Sequence, residues 1–126
     1  MLGGPADVEH GNAVASLCNA TVERADGAQT LAETIAVLDR SDVVVSNDSG
    51  VMHLGAARRV PTVAIFGSTV KELGFAPYGV RHAIVDHNVG CRPCSHIGRA
   101  QCPKGHFLCM TSITADEVLA AIERVC

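Results

Sequence analysis

Apolar and polar positions along this chain switch between two periods. Three short runs, "DVVVS" (42–46), "VPTVAIFG" (60–67) and "RHAIVDH" (81–87), are β-branched and continuous enough to read as strands, the first two as buried ones. Elsewhere the spacing lengthens to that of a helix. In "AQTLAETIAVLDRS" (28–41), Leu31, Ile35 and Leu38 recur at i, i+4 and i+7, with Glu33 near the start. "SGVMHLGAARR" (49–59) also reads as helical. In "TADEVLAAIERVC" (114–126), Val118, Ala121, Ile122 and Val125 make one apolar face, and Thr114 and Glu117 have the spacing of a capping box. Nearer the start, "MLGGP" reads as the tail of a strand and a turn. "ADVEHGNAVASLCNA" (6–20) reads as a helix weakened by Gly11, and "TVERADG" (21–27) as a short strand or extended turn. The segment 88–110 has no periodicity and reads as a loop. Strands alternating with helices predict an α/β fold, a parallel sheet covered by helices on both faces.

Length and composition narrow the class. A chain of 126 residues suits one domain, with 48% apolar and 18% charged residues giving a globular and not a disordered chain. No apolar run approaches the ~18 residues of a membrane span. "MLGGPADVEH" lacks the basic start and long apolar core of a signal peptide, so a cytoplasmic location is expected. A net charge of −3 with 3% aromatic residues argues against a nucleic-acid partner. The charges are uneven. Residues 1–50 are rich in acids, whereas 88–113 has none and carries Arg92, Arg99 and Lys104 among His96 and His106. That segment reads as a solvated loop with a modest positive face, or as a surface toward an anionic substrate.

The stretch "VVVSNDSGVMHLGAA" (43–57) carries the candidate chemistry. Ligands of open parallel sheets bind outside the carboxyl ends of the strands, next to helix starts. Asp48 or Ser49 is placed to cap the helix, and Gly50 would let a ligand approach the backbone. The first-turn N–H groups then face outward at the positive end of the helix dipole, which suits a phosphate, and His53 lies one turn further in. An ordinary N-cap with a bystander His is the competing reading. Ser49 as a nucleophile with His53 as its base is disfavoured, because Asn47 stands where the first Gly of a G-x-S-x-G elbow would be.

Six cysteines in a cytoplasmic chain are not a disulfide framework. Cys18 and Cys126 fall in helices as small apolar residues. Cys91, Cys94, Cys102 and Cys109 crowd into the aperiodic loop as C-x2-C-x7-C-x6-C. Four thiolates so spaced could enclose a structural zinc, with His96 or His106 replacing one of them. Reduced thiols packing the loop are the alternative.

"NDSGVMHLGAARRVPTVAIFGST" (47–69) resembles the donor-binding motif of glycosyltransferase family 9, the lipopolysaccharide heptosyltransferases. Asp48, Ser49, Gly50, Met52, His53, Pro61, Val63, Phe66, Gly67 and Thr69 stand at its characteristic places. "GGPAD" and "LAETIAVLDRSDVVVSND" upstream also fit. "CRPC", "CPKGHFLCM" and the closing helix are similar to the heptosyltransferase II branch. Gly55 departs from the Ala usual there, which would soften the helix.

The resemblance implies a GT-B architecture of two Rossmann-like domains, with residues 1–126 as the C-terminal, nucleotide-sugar donor-binding domain and the N-terminal acceptor domain absent. It implies ADP-heptose as donor, inversion at the anomeric carbon, and the lipopolysaccharide inner core as acceptor, reached through the missing domain. No cofactor is required for the transfer, and a peripheral place at the inner membrane is the variant of the cytoplasmic location. The Ser49 and Gly50 N–H groups and His53 would hold the pyrophosphate, Asp48 would contact the donor, and Gly67 and Thr69 would complete a mouth formed by 47–53 and 67–69. The catalytic base belongs to the absent domain, so this chain alone is expected to be inactive. The rival expectations are a stand-alone binding module held by zinc, and a GT-B half that uses a uridine nucleotide.

Overall fold

The computed structural model describes residues 1–27 and 30–126, and the chain divides into two compact units, Met1–Arg40 and Ser41–Cys126. In the first unit β1 (Leu2–Gly3) leads through a 3-10 turn at Pro5–Asp7 into α1 (Val8–Leu17), followed by β2 (Ala25–Asp26) and α2 (Leu31–Leu38). β1 and β2 pair in parallel, Leu2 opposite Ala25 and Gly3 opposite Asp26. The Arg24 guanidinium pairs with the Asp26 carboxylate and also donates to Asn12 Oδ1 at 2.6 Å and to the Val8 carbonyl at 3.2 Å, tying β2 to α1. Gly11, which the sequence marks as a weakness in the helix, makes this possible. A β-carbon there would lie 2.5 Å from Asp26 Oδ2 and 2.8 Å from Arg24 Nη2. α2 opens with a capping box: the Glu33 N–H donates to Thr30 Oγ1 at 3.2 Å, and the Thr30 N–H donates to Glu33 Oε2 at 2.8 Å. The expected start of this helix at Ala28 and Gln29 lies outside the described residues. Of its apolar face, Leu38 is buried and Leu31 is exposed.

The second unit holds β3 (Val44–Asn47), α3 (Gly50–Ala57), β4 (Thr62–Phe66), β5 (His82–Asp86), α4 (Leu108–Thr111) and α5 (Ala115–Val125). Its strands run parallel in the order β3-β4-β5, with Asn47 opposite Ile65 and Phe66 opposite Asp86. The predicted parallel pairing is present, divided between a two-stranded and a three-stranded sheet.

Side-chain parity assigns the two faces of the larger sheet. Successive strand residues point to opposite sides. Val63, Ile65, Ala83 and Val85 therefore share the face on which Ala121, Val125, Val118 and Ile122 of α5 pack. Ala64, Phe66 and Ile84 share the other with Met52 of α3. Val63, Ala64, Phe66, Met52 and Ala121 are fully buried; each of the larger ones contributes roughly 1.5–3 kcal/mol. Gly55 does more than soften α3: a β-carbon there would lie 3.2 Å from Val44 Cγ2, so its absence lets the helix lie close on β3. The Thr114–Glu117 capping box forms, the Thr114 N–H donating to Glu117 Oε2 at 2.7 Å and the Glu117 N–H to Thr114 Oγ1 at 3.3 Å. Among the described residues no helix is long and apolar enough to cross a membrane.

Candidate functional site

Parallel pairing brings the carboxyl ends of β3 and β4 side by side. The Asp48 N–H donates to the Ile65 carbonyl at 3.1 Å, extending the ladder one residue beyond β3 before the chain turns into α3. Asp48 or Ser49 was expected to cap that helix. Ser49 occupies the N-cap position in an extended conformation (φ −156°, ψ 168°), yet neither side chain caps it. The Ser49 hydroxyl lies 3.0 Å from that of Ser46, and Asp48 Oδ2 accepts from Thr69 Oγ1 at 2.7 Å. Thr69 is buried, so its hydroxyl needs a partner inside the protein, and Asp48 is the one it has. The consequence is a helix start without side-chain capping. Gly50 is exposed there, and a β-carbon on it would meet nothing within 4 Å. His53 follows on the first turn, also exposed. Asp48, Ser49, Gly50 and Thr69 are thus brought together at the strand ends, with His53 one turn along.

Gly67 has a different local reason. A β-carbon on it would lie 2.6 Å from Met110 Sδ, so its bareness seats α4 against the end of β4. Neither α4, which begins inside the segment 88–110 read as a loop, nor the 3-10 turn Lys71–Leu73 is foreshadowed by periodicity, since elements of four and three residues are too short to show one.

The largest departure from the sequence reading is Arg92. Instead of contributing to a solvated positive face, its side chain is 5% exposed and turned in against the sheet. Nε donates to the Gly67 carbonyl at 2.6 Å, and Nη2 to the carbonyls of Phe66 at 3.2 Å and Thr69 at 2.9 Å. Nη1 donates to the His87 carbonyl at 2.5 Å and to Asp86 Oδ2 at 3.1 Å. The Cys94 and Ser95 N–H groups add bonds to the Ser68 carbonyl at 3.1 and 3.4 Å. Residues 91–95 are therefore docked on the loop that follows β4, beside an open cavity of about 260 Å³ lined by Leu73, Pro93, Cys94, Ser95 and His96. The one hint in the sequence was an arginine standing between two cysteines, a residue type most often buried.

The loop cysteines have unlike surroundings. Cys91 Sγ lies 3.8 Å from His106 Nε2. Cys102 receives backbone N–H groups, chiefly that of Phe107 and then those of Lys104, His106 and Gly105, which hold its thiol below the ordinary range. Cys109 is buried, and that burial pushes its thiol up. All six cysteines are free thiols. Among the described residues, no group of three or more His, Cys, Asp or Glu side chains is placed to hold a metal ion. At the strand ends the region thus presents a helix start without a side-chain cap and an exposed imidazole, with the Arg92 guanidinium buried against the loop after β4.

Residues 1–104 match the sequence profile of glycosyltransferase family 9 (heptosyltransferase). Two curated proteins named lipooligosaccharide heptosyltransferase 2 are similar to the chain. The one from Campylobacter jejuni subsp. jejuni serotype O:6 is 33% identical over 113 residues, and the one from serotype O:2 is 36% identical over 107 residues. These stretches cover 89% and 84% of this chain but 32% and 30% of the relatives, so the chain spans about a third of their length. The crystal structure of a family 9 glycosyl transferase from Veillonella parvula superposes with a TM-score of 0.79 at 25% identity, covering 98% of this chain and 35% of that one.

Proposed function

The chain belongs to glycosyltransferase family 9, and from that premise we propose that residues 1–126 form the C-terminal donor-binding half of a GT-B enzyme. That enzyme transfers heptose from ADP-heptose to the lipopolysaccharide inner core, with inversion at the anomeric carbon. The observation that carries this reading is the start of α3, which has no side-chain cap and stands beside the loop after β4 with Asp48 and Thr69 joined across the gap.

The chemistry follows from those positions. Transfer breaks the bond between the anomeric carbon and the diphosphate oxygen, and negative charge grows on the leaving ADP. The Ser49 and Gly50 N–H groups and those of the first turn of α3 carry the positive end of the helix dipole and are fixed before the reaction, so they stabilise that charge without reorganising. His53 donates a ring N–H to the same oxygens. Asp48, a carboxylate next to an anion, takes the role of acceptor for a hydroxyl of the donor. The base that removes the acceptor hydroxyl's proton comes from the N-terminal domain, in the part of the relatives' length that this chain does not span. No cofactor enters the scheme, and the reaction belongs on the cytoplasmic side of the inner membrane.

Calorimetric titration with ADP, with UDP as the control, tests the reading. ADP binds more tightly than UDP, and His53→Ala weakens ADP by about tenfold, the value of one charge-assisted hydrogen bond. Heat from neither nucleotide in a folded sample overturns it.

A further inference from the structure

Arg92 is a buried cation whose partners are mostly neutral. Four of its five acceptors are backbone carbonyls, and its one carboxylate partner, Asp86, is 38% exposed. Burying a charge carries a desolvation cost that an apolar residue would avoid, so a mere staple between two strand ends does not call for a guanidinium. What a guanidinium adds is a planar fork of five donors, wide enough to gather several carbonyls at once.

The carbonyls it gathers are informative. Phe66, Gly67 and Thr69 all direct their oxygens to Arg92. A trans peptide points its N–H opposite to its C=O, so the N–H groups of Gly67, Ser68 and Val70 are turned away from the guanidinium. Among the described residues, those of Ser68 and Val70 donate to no protein acceptor. The same Thr69 whose carbonyl is held by Arg92 donates its hydroxyl to Asp48, at the start of α3.

We propose that Arg92 is the positioning residue of the donor-phosphate site: it orients the loop 67–70 so that its amides face the diphosphate, and through Thr69 it fixes Asp48 beside α3. This rests on the donor-site reading above. Arg92 touches no substrate in this account. Its buried charge lies behind the loop and adds a fixed positive potential at the strand ends, where the leaving group becomes more negative. Misplacement of such a site by about 1 Å from behind can cost as much as 100-fold.

The experiment compares the unaltered chain with Arg92→Lys, which keeps the charge and loses the fork, and with Thr69→Val and Thr69→Ser, which lose and keep the hydroxyl. ADP affinity is read by calorimetry, the Ser68 and Val70 amides by nitrogen–proton correlation spectra, and folding by circular dichroism. ADP shifts both amides in the unaltered chain. Arg92→Lys and Thr69→Val, each folded, bind ADP at least tenfold more weakly; the double variant is no weaker than the worse single one, and Thr69→Ser binds normally. A folded Arg92→Lys that binds ADP like the unaltered chain overturns the proposal. Should Arg92→Lys fail to fold, Thr69→Val decides: weakened binding with Thr69→Ser intact upholds the route through Thr69, and unchanged binding overturns it. An unaltered chain that ignores ADP overturns the donor-site reading itself, and the role of Arg92 with it, before any variant is needed.

Discussion

Thr69 and Asp48 lock together the ends of two neighbouring strands: the hydroxyl of Thr69, a residue 3% exposed, donates to Asp48 Oδ2 at 2.7 Å. The bond explains why Asp48 does not cap α3, and so why that helix start is left open. It also sets a stability cost. Asp48→Ala strands a buried hydroxyl and is expected to lower unfolding free energy by about 1–3 kcal/mol. Asp48→Asn keeps an oxygen in place and costs less than half of that. Urea denaturation of the two variants checks the order.

Arg59 ends α3 in the left-handed region, at φ 62°. Its N–H donates to the Ala56 carbonyl at 2.9 Å and the next one, of Val60, donates to the Gly55 carbonyl at 3.0 Å, the paired bonds of a Schellman ending. Glycine adopts this conformation without a β-carbon penalty. Arg59→Gly is therefore expected to stabilise the chain by about 1 kcal/mol, seen as a higher melting temperature. A lower one would mean that the Arg59 side chain matters more than its backbone.

Glu117 links the start of α5 to the end of β5. The Thr114 N–H bond, then the Thr114 hydroxyl, and then His87 at 3.1 Å hold its carboxyl below the usual glutamate range. A folded pKa below the unfolded one gives stability that is present above the ordinary carboxylate range and is lost as pH falls through the folded value. The stability difference between the unaltered chain and Glu117→Gln is thus expected to be full at pH 6 and to shrink steadily below about pH 4.5. A difference that does not change with pH would remove this assignment.

The thiols should separate by reactivity. Cys102 has a half-buried sulfur whose thiolate is favoured by backbone N–H groups, while Cys109 is buried with its thiol pushed up. Timed alkylation with iodoacetamide at pH 7, followed by peptide mass spectrometry, is expected to label Cys102 well before Cys109. The reverse order would mean that the turn 102–107 does not hold the sulfur as described.

Much of this was legible in the chain, for physical reasons that can be named. The continuous β-branched runs at 42–46 and 60–67 and the apolar stretch in 81–87 located the three-stranded sheet to within a few residues of Val44–Asn47, Thr62–Phe66 and His82–Asp86, but the burial expected of the first run fails at Val45, which is exposed. Thr114 and Glu117 announced α5 because a capping box is a local, four-residue device. "SNDSG" could be placed at a strand end and a helix start because a continuous β-branched run precedes it and a helical stretch follows it. What lay hidden depends on partners distant in sequence. That Asp48 would leave the helix for Thr69 rests on a contact 21 residues away, and Arg92 reaches carbonyls 23 to 26 residues back. Gly11 and Gly55 looked like helix weaknesses because their crowding neighbours, Asp26 and Val44, are set by packing and not by spacing. The four cysteines share a loop in sequence, but proximity along an aperiodic segment does not fix the direction of a thiol, so their spacing alone does not decide between zinc ligation and reduced packing.

The most direct test of the donor-site claim is a nuclear magnetic resonance titration of this chain with ADP, using UDP as control and His53→Ala as the altered chain. The account predicts shifts confined to residues 47–53 and 67–70, saturating with ADP, weaker with UDP and much reduced in His53→Ala. A well-folded chain whose spectrum does not change with ADP, or changes only away from these residues, would contradict it.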